Sequence, residues 1–192
     1  MSVRKHGAEN NSQENRQEVY MRILAVLIMG ICLLLFTVEQ ASGQSASSWN
    51  TYQNARFGYE IGYPGDFHKE EPPPENNDGR IFTSSDGKAT ITVYGSFNAL
   101  SRTIAGMYRS QLDEYSKEGK TVTYKARGDN WFVLSGFDGD RIFYIKTLRK
   151  KADKENEVYA TIIFYYPRAS KNTYDAVTER LSKSLRFVKH PL

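Results

Sequence analysis

The sequence predicts an α+β fold: an antiparallel sheet of about six to seven strands packed with two helices. Three observations carry this reading. First, Val158–Tyr166 is a run of β-branched and aromatic residues closed by Pro167. Side chains alternate along a strand, so Val158, Ala160, Ile162, Phe164 and Tyr166 share one face, and Tyr159, Thr161, Ile163 and Tyr165 share the other. Both faces are apolar, which predicts an interior strand covered on both sides. Second, Trp131–Phe137 and Ile142–Leu148 are apolar on both parities in the same way. Third, Ser101–Glu118 and Ser170–Phe187 carry apolar residues three and four positions apart, the spacing of a one-sided helix.

The remaining elements follow in order. Phe57, Tyr59, Ile61 and Tyr63 alternate with Gly58, Glu60 and Gly62, a one-sided strand ending at Pro64-Gly65. Glu70–Gly79 holds three consecutive prolines among acidic residues and is expected to be a stiff, extended, acidic loop. Arg80–Ser85 and Lys88–Tyr94 flank Asp86-Gly87, a pair that tolerates the positive φ of a two-residue hairpin turn. The first helix presents Ile104, Met107, Tyr108, Leu112 and Tyr115, with Ser101 as its expected cap and Gly119 at its end. Thr121–Ala126 and Asn130–Phe137 form a hairpin around Arg127-Gly128-Asp129, and Asp138-Gly139-Asp140 turns into Arg141–Leu148. In the last helix Tyr174, Val177, Leu181 and Leu185 make the buried stripe. Lys183, Arg186 and Lys189 gather near its C-terminus, where cations complement the helix dipole. Two-sided strands and two helices imply one helix on each face of the sheet, the alternative being both helices on one face with loops covering the other.

The N-terminal part is of another kind. Residues 1–20 are polar and aperiodic, so they are expected to be disordered, or an over-extension of a chain whose translation starts at Met21. Met21-Arg22 opens an uncharged run, Ile23–Phe36, of 14 residues. That length suits a signal-peptide core of roughly 7–15 residues better than a membrane span of about 20. Ala41-Ser42-Gly43 offers a small-residue cleavage site before Gln44. Residues 21–43 therefore read as a signal peptide, with a short inner-membrane anchor as the alternative, and the exported protein as periplasmic. Residues 44–48 read as a linker and 49–192 as a single domain. Cys32, the lone cysteine, lies in the apolar run, so the domain has neither a disulfide nor a cysteine metal site. Ile31 before it is too large for a lipoprotein signal.

Phe57-Gly58-Tyr59-Glu60-Ile61-Gly62-Tyr63-Pro64, the early hairpin, the helix, the four-strand meander and the final helix together resemble the PsbP-like α-β-α sandwich. The likeness extends from about Trp49 to the C-terminus, and Pro72–Gly87 adds to it. It is nearest to uncharacterised exported proteobacterial proteins of that group. The resemblance implies an extrinsic subunit, binding protein or assembly factor and carries over no catalytic residue set.

Read for chemistry, the chain offers little. The net charge of +4 lacks the dense basic stripe of a nucleic-acid binder. His68 and His190 belong to no spaced cluster, and no phosphate loop, dinucleotide fingerprint or Gly-x-Ser-x-Gly occurs. Asp138 and Asp140 bracket Gly139 and read as turn formers rather than an acid–base pair. Arg127-Gly128-Asp129 spells an adhesion tripeptide where a turn is required. No catalytic, cofactor-binding or metal residue is assigned, and no cofactor is expected. Two stretches are candidate interaction surfaces. One is the basic tip with Lys146, Arg149, Lys150, Lys151 and Lys154, suited to anionic lipid or an acidic partner. The other is the acidic loop, with Glu75 and Asp78 and the following Arg80. Tyr52, Tyr94 and Tyr159 are candidate liners of a ligand groove. The functional expectation is a non-catalytic exported envelope protein, monomeric or weakly dimeric, that binds another protein or serves assembly. A small-ligand or lipid carrier is the alternative, and an enzyme with an unrecognised site is a third reading.

Overall fold

The computed structural model describes residues 48–150 and 157–188. The signal segment 21–43, residues 1–20, most of the linker, Lys151, Lys154 and His190 lie outside the described residues. Among the described residues ten strands and two helices run in the order β1 (Trp49–Asn54), β2 (Tyr59–Pro64), β3 (Phe67–Lys69), β4 (Gly79–Ser84), β5 (Thr90–Phe97), α1 (Ile104–Lys117), β6 (Thr121–Arg127), β7 (Trp131–Asp138), β8 (Arg141–Lys150), β9 (Val158–Pro167), α2 (Lys171–Ser184) and β10 (Arg186–Phe187). A single 3-10 turn, Arg168–Ser170, leads into α2.

Seven strands form one antiparallel sheet in the order β3-β4-β5-β9-β8-β7-β6. β9 is central, and its two faces divide as its sequence parity predicts. Tyr159, Ile163 and Tyr165 join Phe132, Leu134, Phe143 and Ile145 beneath α1, which contributes Ile104 and Tyr115. Ala160, Ile162, Phe164 and Tyr166 face the other way and meet Leu181 and Leu185. Ile162, Phe164 and Leu181 are completely buried. The sheet thus has a helix on each face, and each helix buries the stripe that its spacing announces.

The first predicted strand behaves differently. β2 does not join the large sheet. It pairs with β1 on one side and β10 on the other, making a separate three-stranded sheet. This small sheet shares a face of the large one with α2. Tyr59 and Ile61 are fully buried there, and Tyr63 stacks on Phe82 with centroids 4.1 Å apart. Its one carboxylate, Glu60, is nearly buried and is held by Arg186 and by Gln53 Nε2 at 2.9 Å. Trp49–Asn54 has no apolar alternation, so its strand character comes from this pairing. Arg186 and Phe187 are strand rather than helix for the same reason.

Two local expectations are corrected. Thr103, not Ser101, caps α1, accepting at Oγ1 from the Gly106 N–H at 3.0 Å; Ser101 sits at φ +49° in the preceding turn. The β4–β5 turn has four residues rather than two, because Ser84 N–H bonds Ala89 O at 2.9 Å. Asp86 braces it, accepting at Oδ1 from the Ser84 hydroxyl at 2.6 Å and the Lys88 N–H at 3.1 Å. His68 falls in β3, a three-residue edge strand with no pattern to announce it. Gly119, at φ +76°, ends α1 as expected.

Candidate binding surfaces

Antiparallel register brings four connections to one end of the large sheet. Gly79 pairs with Tyr94, Tyr94 with Thr161, and Thr161 with Thr147. The start of β4 therefore lies at the same end as the finish of β5, the start of β9 and the finish of β8. Residues 55–58, 70–78, 98–103 and 128–130 make up this end.

The acidic loop is tied down by side chains from the small sheet. Buried Asn54 donates from Nδ2 to Asn77 O at 3.0 Å and accepts at Oδ1 from the Phe57 N–H at 3.0 Å. Tyr59 donates to Asp78 O at 2.9 Å, and Arg56 donates to Asn76 O. Asp78 also accepts from Asn76 Nδ2 at 2.7 Å. Arg80 donates to Asn77 Oδ1 at 3.1 Å and to Gly79 O at 2.8 Å, and its guanidinium stands 5.6 Å from the Tyr52 ring centre. Glu75 is exposed on the same loop. Asp78 and Arg80 are thus parts of one braced structure.

The basic tip is less unified. Arg149 donates from Nη2 to Asp129 O at 3.2 Å, and the Lys150 ammonium lies 5.9 Å from the Phe187 ring centre. Both stand at the loop-bearing end. Lys146 does not join them. Its Nζ donates to Ser182 O at 2.5 Å, in the last turn of α2.

Two residues that the sequence reading passed over are the most exposed apolar groups at this end. Phe97 is 53% exposed and Leu100 is 71% exposed. Phe97 packs on Phe57, centroids 4.9 Å apart, with the Arg56 guanidinium over both rings. A hollow of about 260 Å³ lies beside them, lined by Leu100, Arg102, Met107 and Tyr159 among others. Tyr159 fixes its rim, donating to Arg102 O at 2.5 Å. The signal was legible: Leu100 is a large apolar residue in the connection 98–103 that no periodicity explains.

The tyrosines singled out from sequence do not meet in one groove. Tyr52 lies edge-on to Tyr59 and Phe82. Tyr94 pairs with Thr161, and burial raises its phenol pKa above the ordinary range. Asp138 and Asp140 flank the two-strand turn at Gly139, as expected, and Asp138 lies 3.9 Å from Lys120 Nζ. Gly128 N–H closes the Arg127–Asp129 turn on Trp131 O at 2.9 Å. His68 Nε2 lies 3.3 Å from Ser85 Oγ on an exposed edge. Among the described residues no three His, Cys, Asp or Glu side chains are placed to hold a metal ion. None of the described helices is long and apolar enough to cross a membrane.

A seven-stranded antiparallel sheet with a helix on each face and braced loops at one end is a sandwich of the PsbP type, as the sequence motifs suggest. The likeness is distant and is one of fold. The cyanobacterial PsbP of Synechocystis superposes with a TM-score of 0.53 at 12% identity, over 78% of this chain and 98% of its own. The Saccharomyces cerevisiae Ran-binding protein Mog1p superposes with a TM-score of 0.51 at 8% identity, over 75% of this chain and 97% of its own. No family model matches the sequence, nor does any curated protein.

Proposed function

We propose that this domain is a non-catalytic binding protein of the cell envelope, exported behind residues 21–43, that engages another protein through the loop-bearing end of its sheet. The observation that carries this reading is the pair Phe97 and Leu100, more than half exposed and flanked by Arg56 and Arg102. Aromatic residues and arginines are enriched at interface centres, which are more apolar than the surrounding surface. The braced acidic loop gives the surface a rigid border, with Glu75, Asp78 and Arg80 on one side and Arg149 and Lys150 on the other. In sequence, Lys151 and Lys154 extend the cationic side, which makes a contact with anionic lipid an adjunct of the same surface. A scaffold of this fold belongs to a protein named for binding Ran, which supports a protein-binding role without naming the partner.

Site-specific photocrosslinking in the native host tests this. A crosslinker at position 100 of the full chain should capture one dominant protein, and one at Ser85, on the opposite end, should not. Equal and unspecific capture from both positions would count against the proposal. The intact mass of the recovered protein reads the export step: a soluble species beginning at Gln44 is expected, whereas a membrane-bound species retaining Ile23–Phe36 would make the domain an anchored one.

A further inference from the structure

The second surface lies on the sheet face that α2 shares with the small sheet. α2 is drawn toward β2: Ser184 Oγ accepts from the Gly62 N–H at 3.0 Å, and Leu181 and Leu185 are buried over the centre of the sheet. The helix therefore covers β9 and the near side of β8. The same face of β7 and β6 is left without a helix among the described residues. Trp131, Val133 and Phe137 of β7 stand there beside Ile142, Tyr144 and Leu148 of β8. Together with the flank of α2 at Thr178 and Ser182 they enclose a groove of about 630 Å³. Small-molecule sites span roughly 300–1,000 Å³ and are mostly apolar with a few placed polar groups.

One charge interrupts the floor of this groove. Ile142, Tyr144, Lys146 and Leu148 share a parity of β8, so Lys146 stands in an otherwise apolar or aromatic row. Its strand neighbours are Val133 and Ile162, both buried. Its ammonium donates to Ser182 O, and Tyr144 donates to Ser182 Oγ at 2.7 Å. That contact complements the negative end of the α2 dipole. It leaves further ammonium hydrogens, and no carboxylate among the described residues pairs with Lys146. The carboxylates on the groove rim already have partners: Asp175 pairs with Lys171, and Glu179 with Lys183. Burial alone holds the Lys146 pKa below the usual lysine range, with no neighbouring anion opposing it.

We propose that this groove binds a single-chain amphiphile with an anionic, carboxylate-type head. The head meets the Lys146 ammonium, and the chain lies along Val133, Tyr144, Ile142 and Phe137. Four residue steps along β8 separate Lys146 from Ile142, which is about 13 Å at ~3.3 Å per step. This site is distinct from the loop-bearing end, and either can fail without the other. The apolar walls bind the chain by removing it from water, and Lys146, the one cation on the groove floor, selects the head, since the rim lysines Lys171 and Lys183 are paired with Asp175 and Glu179.

Trp131 makes the test direct. The chain has two tryptophans, and Trp49 lies elsewhere, beneath the Arg180 guanidinium. A full-length Trp49→Phe chain titrated with dodecanoate should show a saturable blue shift of Trp131 emission. Mass spectrometry under native conditions should show a one-to-one adduct. Dodecanol should bind about ten-fold more weakly, the factor a charge-assisted hydrogen bond supplies. Lys146→Met should abolish that preference, and Lys146→Arg should keep it. No saturable response would overturn the proposal, as would equal binding of acid and alcohol by the Lys146-bearing chain, a comparison that does not depend on any lysine variant folding.

Discussion

Asn54 and Asn77, 23 positions apart, are joined by a hydrogen bond from the Asn54 amide to the Asn77 carbonyl at 3.0 Å. Asn54 is almost fully buried and also holds the Phe57 N–H. One side chain thus ties the β1–β2 turn to the acidic loop, joining the small sheet to the candidate surface. Asn54→Ala is expected to cost about 1–3 kcal/mol, because it strands buried polar groups. Hydrogen exchange of residues 70–78 should quicken at the same time. Unchanged stability and exchange would show that the loop is held by other contacts.

Gly95 is expected to tolerate no side chain. A Cβ there would lie 2.4 Å from Phe57 Cγ, far inside contact distance. Gly95→Ala must push the Phe57 ring off its place against Phe97, and overpacking of this kind costs about 1–3 kcal/mol. Denaturant unfolding measures it. A neutral result would mean that the Phe57–Phe97 pair can move freely, which would weaken the case for a rigid binding surface.

Two leucines should separate core from surface. Leu181 is fully buried, so Leu181→Ala is expected to cost about 2–5 kcal/mol. Leu100 is 71% exposed. Leu100→Ala should change stability by no more than about 0.5 kcal/mol while weakening partner capture. Loss of fold on Leu100→Ala would assign that residue to structure and not to binding.

Alkaline pH should destabilise the domain. Burial raises the phenol pKa of Tyr59, Tyr115 and Tyr144. In the unfolded chain these groups ionise near pH 10, while in the folded chain they keep their protons to higher pH. The unfolded state then binds fewer protons, so the contribution is complete below about pH 10 and is lost as pH rises further. Lys146, shifted downward, acts in the opposite sense, but it is one half-buried amine against three buried phenols. Thermal melts between pH 8 and 11 should show Tm falling at the upper end, and a flat Tm across that range would contradict the burial of these rings.

The large sheet was legible in the sequence because strand and helix periodicity depend only on local geometry. The parity of Val158–Tyr166 assigned side chains to two faces, and those faces meet the two helices whose stripes were equally plain. The likeness to the PsbP-type sandwich was carried by the Phe57–Pro64 motif together with the order of elements. What periodicity could not say was which strands would pair. Phe57–Tyr63 alternates like a member of the large sheet, yet β2 pairs with an unpatterned β1 and a two-residue β10. Pairing is a long-range choice, settled by how Tyr59, Ile61 and Tyr63 fit over Phe82 and beside α2. The candidate surfaces divide in the same way. Asp78, Arg80, Arg149 and Lys150 were singled out by charge, which is visible along the chain, and the structure puts Asp78 in a loop and the other three at strand ends. Lys146 was grouped with them by nearness in sequence, and only the packing of α2 against β8 placed it at Ser182 instead. The exposure of Phe97 and Leu100, and the groove beside Trp131, exist because α2 leans toward the small sheet and α1 begins only at Ile104, four residues after Leu100. Composition and periodicity determine which residues seek burial; only the tertiary structure decides which of them are left without cover.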